Sequence, residues 1–165
     1  MGRLPATWAN RIIQSRWPYT ISGEFLIESA ETGQQFPDAT FQNGQDKPFE
    51  IHRMIPRVYA LDSEGVLLPT QPDQELLLGL VRAKIVDLGR EQLMTKNPTL
   101  LGLLCKGSSE RTWEFAEPMY LIRAEQIQIT LDALTFPVIS NLDQLKVAID
   151  FQGFVCVVAP PSENR

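Results

Sequence analysis

The stretch Thr112 to Ala133, TWEFAEPMYLIRAEQIQITLDA, decides the fold. Its last part alternates cleanly, with Ile127, Ile129, Leu131 and Ala133 on one face and Gln126, Gln128, Thr130 and Asp132 on the other. A period of two over eight residues marks a strand buried on one side. Trp113 and Phe115 share a face in the same way, so Thr112 to Ala116 reads as a strand of its own. Pro118 has no amide hydrogen to give a ladder and separates it from a third extended piece, Met119 to Arg123. Consecutive strands joined by corners build a compact antiparallel β domain. The pattern carries no chemistry and points to binding rather than catalysis.

Working outward, Tyr19 to Ser29 is the first strong strand, with Tyr19, Ile21, Phe25 and Ile27 on one face and Gly23 between them. A glycine in mid-strand implies a bulge or a close backbone approach. Glu31 to Pro48 is a long polar loop in which Asn43-Gly44 has the composition of a tight hairpin. Phe49 to Asp62 is extended, and Pro56 within it implies an edge or a bulge. Val66 to Leu68 and Gln92 to Lys96 read as short strands. Leu76 to Leu88 has both helical and alternating features, and the run Val81, Ala83, Ile85 with Gly79 before it favours strand. Asn97-Pro98 fits a helix start, with a short turn through Leu100, Leu101 and Leu104. Leu145 to Ala159 alternates again, and its second half is apolar on both faces.

About eight short strands with turn signals between them make an all-β antiparallel sandwich. The jelly roll, which protects its edges, is the expected form. The expected organisation is an extended N-terminal arm over 1–18, a β-sandwich domain over 19–159 and a C-terminal tail over 160–165. At 165 residues and 44% apolar, the chain has enough material for one core. Its longest apolar runs are far short of the ~20 residues that span a bilayer, and no export signal follows the start. No membrane association is expected.

Charge is uneven. Residues 1 to 23 hold Arg3, Arg11 and Arg16 and no acid, which leaves eight net negative charges on the rest of a chain of net charge -5. An acidic body repels phosphate, so no direct contact with nucleic acid is expected. The basic start also carries Trp8, Ile12, Ile13 and Trp17. Two readings stand: the segment folds back on its own domain, or it reaches a neighbouring subunit. In the second, Trp8 and Trp17 are the anchors, and Arg11 and Arg16 meet acidic groups. Phe36 and Phe41 in the long loop have the same two readings, pins to their own sheet or anchors for a partner.

Little in the chain suggests a reaction. His52 is the single histidine, and Cys105 and Cys156 lie far apart without a CxxC pair, so no typical zinc site can be assembled. Cys156 falls inside an apolar strand, where a thiolate is disfavoured, and Cys105 beside Lys106 is the better nucleophile on paper. Both are expected to be reduced and without a catalytic role. Glu114 and Glu117 flank Trp113 and Phe115 as a glycosidase pair would, but charged residues on an outer strand face look the same. Phosphate-loop, dinucleotide and nucleophile-elbow motifs are missing from the sequence. No catalytic residues, metal or cofactor are assigned.

Two segments carry a resemblance. QDKPFEIHRMIPRV, residues 45 to 58, followed by WEFAEPMYLIRAEQIQITLDAL, residues 113 to 134, resembles capsid-associated decoration or cement proteins of tailed bacteriophages. The likeness is in the phenylalanine-containing polar loop, PFEIHR, and the corner of Trp113, Phe115, Pro118 and Leu121 that leads into an alternating strand. It implies a jelly-roll protein that sits on an icosahedral shell and stabilises it without a cofactor. Its partners would be the major capsid protein and neighbouring copies of itself, as a dimer or trimer. It would be made in the host cytoplasm and reside on the capsid surface. The alternative is a β-sandwich module that binds a small ligand or carbohydrate, which would require aromatics on one concave face rather than on arms and loop tips.

Overall fold

The computed structural model describes residues 13–28, 39–89, 92–105 and 111–159. Among these described residues nine strands and two short helices follow one another: β1 (Ile13–Glu28), β2 (Ala39–Gln42), β3 (Phe49–Leu61), α1 (Gln74–Leu78), β4 (Val81–Asp87), β5 (Gln92–Leu93), β6 (Thr99–Leu100), α2 (Leu101–Leu104), β7 (Trp113–Leu121), β8 (Gln126–Ala133) and β9 (Gln144–Val158). One sheet has the order β1-β9-β3-β7 and the other β2-β8-β4-β5, with β6 also on β4. All pairings are antiparallel. The pairs β1 with β9, β2 with β8, β3 with β7 and β4 with β5 nest one inside the next. A chain doubled back and rolled up in this way is a jelly roll, so the expected β-sandwich is the one observed.

The alternating residues do what their period requires. Ile127, Ile129 and Leu131 of β8 meet Val147, Ile149 and Phe151 of β9, and Met54 and Val58 of β3, in one core. Gly23 is a close approach: a Cβ there would lie 2.7 Å from Cε1 of Phe41. Phe41 fills that space and stacks edge-on against Phe151 with centroids 5.1 Å apart.

Several expectations change. β1 starts at Ile13 and its residues Trp17 and Pro18 pair with Val155 and Phe154, so 13–18 belongs to the sheet rather than to an arm. Residues 1–12 lie outside the described residues, as does the tail 160–165. The loop from Glu31 contains β2. Asn43-Gly44 closes no hairpin, because β2 pairs with β8 while β3 belongs to the other sheet. The Asn43 side chain instead donates to the carbonyls of Lys47 and Leu121 and accepts from the Gln45 amide, which organises the crossover between sheets. Leu76–Leu88 divides: Asp73 caps α1 by accepting from the Glu75 amide, and strand begins only at Val81. Asn97 caps no helix, since Thr99–Leu100 pairs with β4 first and α2 starts at Leu101. Pro118 does not split β7, but the β3–β7 register jumps from Met119 to Glu114 on one side and from Ile51 to Arg53 on the other.

Candidate functional site

Connections between strands fall into two ends. At one end they are short and tied together, as where Leu88 N–H donates to Gln126 and Asn43 N–H to Glu125. At the other end are the long connections β3–β4, β6–β7 and β8–β9. They touch through Leu134 N–H to Leu80 O at 2.8 Å, Asp143 N–H to Leu61 O at 3.1 Å, and the Arg111–Asp73 ion pair at 3.0 Å. Val66, Leu67, Leu76, Leu103, Leu134 and Val138 are large apolar side chains exposed on these long connections. Their sequence signal is weak because each lies beside other apolar residues that the fold buries, as Leu67 beside Leu68 and Leu76 beside Leu77. Only the fold brings them to one end.

The residues proposed from sequence do not form one site. Trp8, Arg11 and Phe36 lie outside the described residues. Phe41 is 3% exposed and belongs to the core, which corrects its reading as a partner anchor. Burial against Phe25 and Phe151 makes it the pin of its own strand. Trp17 is different. Tyr19 packs edge-on against Phe49 at 5.1 Å and closes the core at the short-connection end. Trp17 stands two residues beyond Tyr19 on the same face and is 64% exposed. It stands on the edge strand of the sheet, level with Val155 of β9 and, across it, Phe49 of β3.

Arg16 points to the opposite, outer face of that sheet, where the structure assembles a cluster the sequence did not announce. Glu50 on β3 is only 3% exposed. Its Oε2 accepts from Arg16 Nε at 3.0 Å and from the Cys156 thiol at 3.2 Å, and its Oε1 lies 2.7 Å from His52 Nε2. His52 in turn stacks edge-on against Phe154. Burial would push the Glu50 carboxyl up, but the hydrogen bonds from Cys156, Arg16 and His52 outweigh it and hold the group below the usual carboxylate range. The Arg16 guanidinium is raised through its hydrogen bond to Glu50, and Tyr120 is raised by burial and by the nearby carboxylate.

This grouping places a cysteine, a histidine and a glutamate side by side, but its electrostatics oppose nucleophilic chemistry. Burial first, and then the hydrogen bond to Glu50, push the Cys156 thiol up to about 12. Such a thiol donates and does not ionise. Burial pushes Cys105 up to about 11. Glu114 reaches toward Arg53 at 3.9 Å and accepts from Thr112 Oγ1 at 3.3 Å, as an outer-face carboxylate does. Among the described residues no three His, Cys, Asp or Glu side chains are placed so that they could hold a metal ion, and no helix is long and apolar enough to cross a membrane. The described residues form a jelly-roll body with apolar side chains exposed on the long connections and Trp17 exposed on the edge strand β1.

No family model matches the chain, and no curated protein matches it. Among solved structures, the chain is similar to a chain of the "Cyanophage Pam1 capsid asymmetric unit", with a TM-score of 0.41 and 12% identity over 92% of this chain and 99% of that one.

Proposed function

We propose that this chain is a structural protein of a bacteriophage particle that binds the icosahedral shell from outside and stabilises it, without enzymatic activity or cofactor. The observation that carries the reading is Trp17, a tryptophan on the edge strand β1 that is 64% exposed. Aromatic side chains dominate binding energy at interfaces, at about 2 kcal/mol or more for a central one. The chain directly before β1 supplies Trp8 and Arg11, so the apolar and basic residues continue from Trp17 toward the N-terminus. The two segments that resemble decoration proteins, residues 45–58 and 113–134, support the same reading. Their bulk forms β3, β7 and β8, the frame of the sandwich. In the ligand-module alternative, Trp113 and Phe115 would line a concave face. They pack against each other edge-on at 4.9 Å and partly against the core.

The partners are the major capsid protein and neighbouring copies of this chain. The test is binding of purified chain to particles that lack it, measured as bound copies per particle for the intact chain, a Δ1–12 variant and Trp17→Ala. Truncation stops at residue 12 because Ile13 is already paired with Val158. The reading expects saturable binding of the intact chain and a loss of about tenfold or more in affinity for each variant, with melting temperatures unchanged. Failure of the intact chain to bind rejects the shell reading. Unchanged binding of both variants rejects the aromatic anchor.

A further inference from the structure

β3 is paired on its β7 side only as far as Met54, opposite Trp113. From Val58 onward that side is closed differently. The Gln74 carboxamide accepts from Val58 N–H at 3.0 Å and donates to Val58 O, and the Gln71 carboxamide does the same at Ala60, at 2.9 and 2.8 Å. Between these two regimes Ile55, Pro56 and Arg57 face a cleft of about 340 Å³. Pro56 shares the parity of Val58 and Ala60, so its backbone faces the cleft. Being a proline, it has no N–H to leave unpaired there.

Ile55 and Leu78 give the lining apolar surface, and Arg57 and Arg111 give it two guanidiniums. Arg57 uses Nη1 toward Asp150 at 3.5 Å, and Arg111 uses Nη2 toward Asp73 at 3.0 Å. A guanidinium carries five N–H donors in a planar fork that suits carboxylates, so one contact of this kind does not saturate it. Arg111 also has φ of 54°, in the left-handed region that a non-glycine residue occupies at a cost. A glycine at this position would relieve the backbone.

We propose that this cleft binds a protein segment in which a carboxylate side chain neighbours an apolar one, the carboxylate between Arg57 and Arg111 and the apolar group on Ile55 and Leu78. The assignment rests on the cleft's own chemistry and stands independently of the shell reading.

The test is an NMR titration of the full chain with a capped four-residue peptide containing Leu-Glu, compared with its Leu-Gln counterpart and with hexanoate. The expected result is shifts at Arg57, Arg111 and Thr112 with the Leu-Glu peptide, weakened about tenfold or more by the Leu-Gln change. Arg57→Met and Arg111→Gly should each weaken binding to the same degree, and Arg111→Gly should melt no lower than the native chain. Absence of shifts, equal binding of the Leu-Gln peptide, or binding of hexanoate as tight as the peptide overturns the proposal. So does a lowered melting temperature for Arg111→Gly together with unchanged peptide binding, which would make Arg111 a holder of Asp73 only.

Discussion

Arg16 on β1 reaches across β9 to Glu50 on β3, Nε to Oε2 at 3.0 Å, and so ties three strands of one sheet at their short-connection end. The contact fixes the end of β1 from which Trp17 projects. Its loss leaves a nearly buried carboxylate with fewer donors. A hydrogen bond to a charged group contributes about 1.5–3 kcal/mol, so Arg16→Ala is expected to destabilise by that order in urea denaturation. An effect within ~0.5 kcal/mol would contradict it.

The same carboxylate sets a pH dependence. Glu50 is held below its ordinary value of 4.5 in the folded chain. A depressed folded pKa adds stability that is fully present above the unfolded value and is lost as pH falls through the folded one. The stability difference between the native chain and Glu50→Gln should therefore be constant above about pH 5 and shrink on further acidification. Unfolding free energies across that range check it, and a difference that grows toward acid pH would refute it.

Gly23 and Phe41 form a matched pair across the two sheets. An added methyl at Gly23 meets the Phe41 ring at 2.7 Å. Overpacking of this kind costs about 1–3 kcal/mol, and Gly23→Ala should lose that much. Phe41→Leu placed in the Gly23→Ala background should recover part of it, although Phe41→Ala alone costs about 3–5 kcal/mol. A neutral Gly23→Ala would mean that the ring moves freely and does not pin β2.

Gln74 stands in for a strand at Val58. Gln74→Ala leaves a backbone donor and acceptor without that partner, at about 1–3 kcal/mol. Gln74→Glu can still accept from Val58 N–H but has no donor for its carbonyl at neutral pH, so it should be no better than alanine. Thermal melts of the two variants decide this, with a native-like glutamate variant as the contrary outcome.

Both thiols should be inert in the folded chain. With Cys105 raised to about 11 and Cys156 to about 12, almost no thiolate exists at about pH 8. Labelling by a disulfide reagent should be slow in native conditions and complete after unfolding in guanidinium. Rapid labelling of either cysteine before unfolding would overturn the assignment.

Most of the framework was legible because period-two alternation reports one-sided burial directly. β8 and β9 follow it in the sequence to within a residue or two, Val81, Ala83 and Ile85 mark β4, and β3 was legible as an extended stretch of the observed length. Gly23 was legible as a close approach, and Pro56 as an edge, though what closes that edge was not. Gln71 and Gln74 act through side-chain amides on backbone groups more than ten positions away, which no local pattern encodes. α1 was missed because Leu76, Leu77 and Leu80 run into the alternation of β4, while the informative residue was the cap Asp73. The start of β1 was missed because Arg16, Trp17 and Pro18 are all exposed, so the segment pairs without alternating burial. Glu50 carries no signal of its own in the sequence, since only the register brings Arg16, Cys156 and His52 around it.

The central claim is that this chain is a stoichiometric component of a phage particle. The most direct measurement is its copy number in purified, nuclease-treated particles, by quantitative mass spectrometry against the major capsid protein. The account predicts a fixed ratio to the capsid protein that is reproduced between preparations, with on the order of tens of copies or more, as multivalent binding to a symmetric shell requires. A chain found free in the infected lysate and absent from intact particles would contradict it.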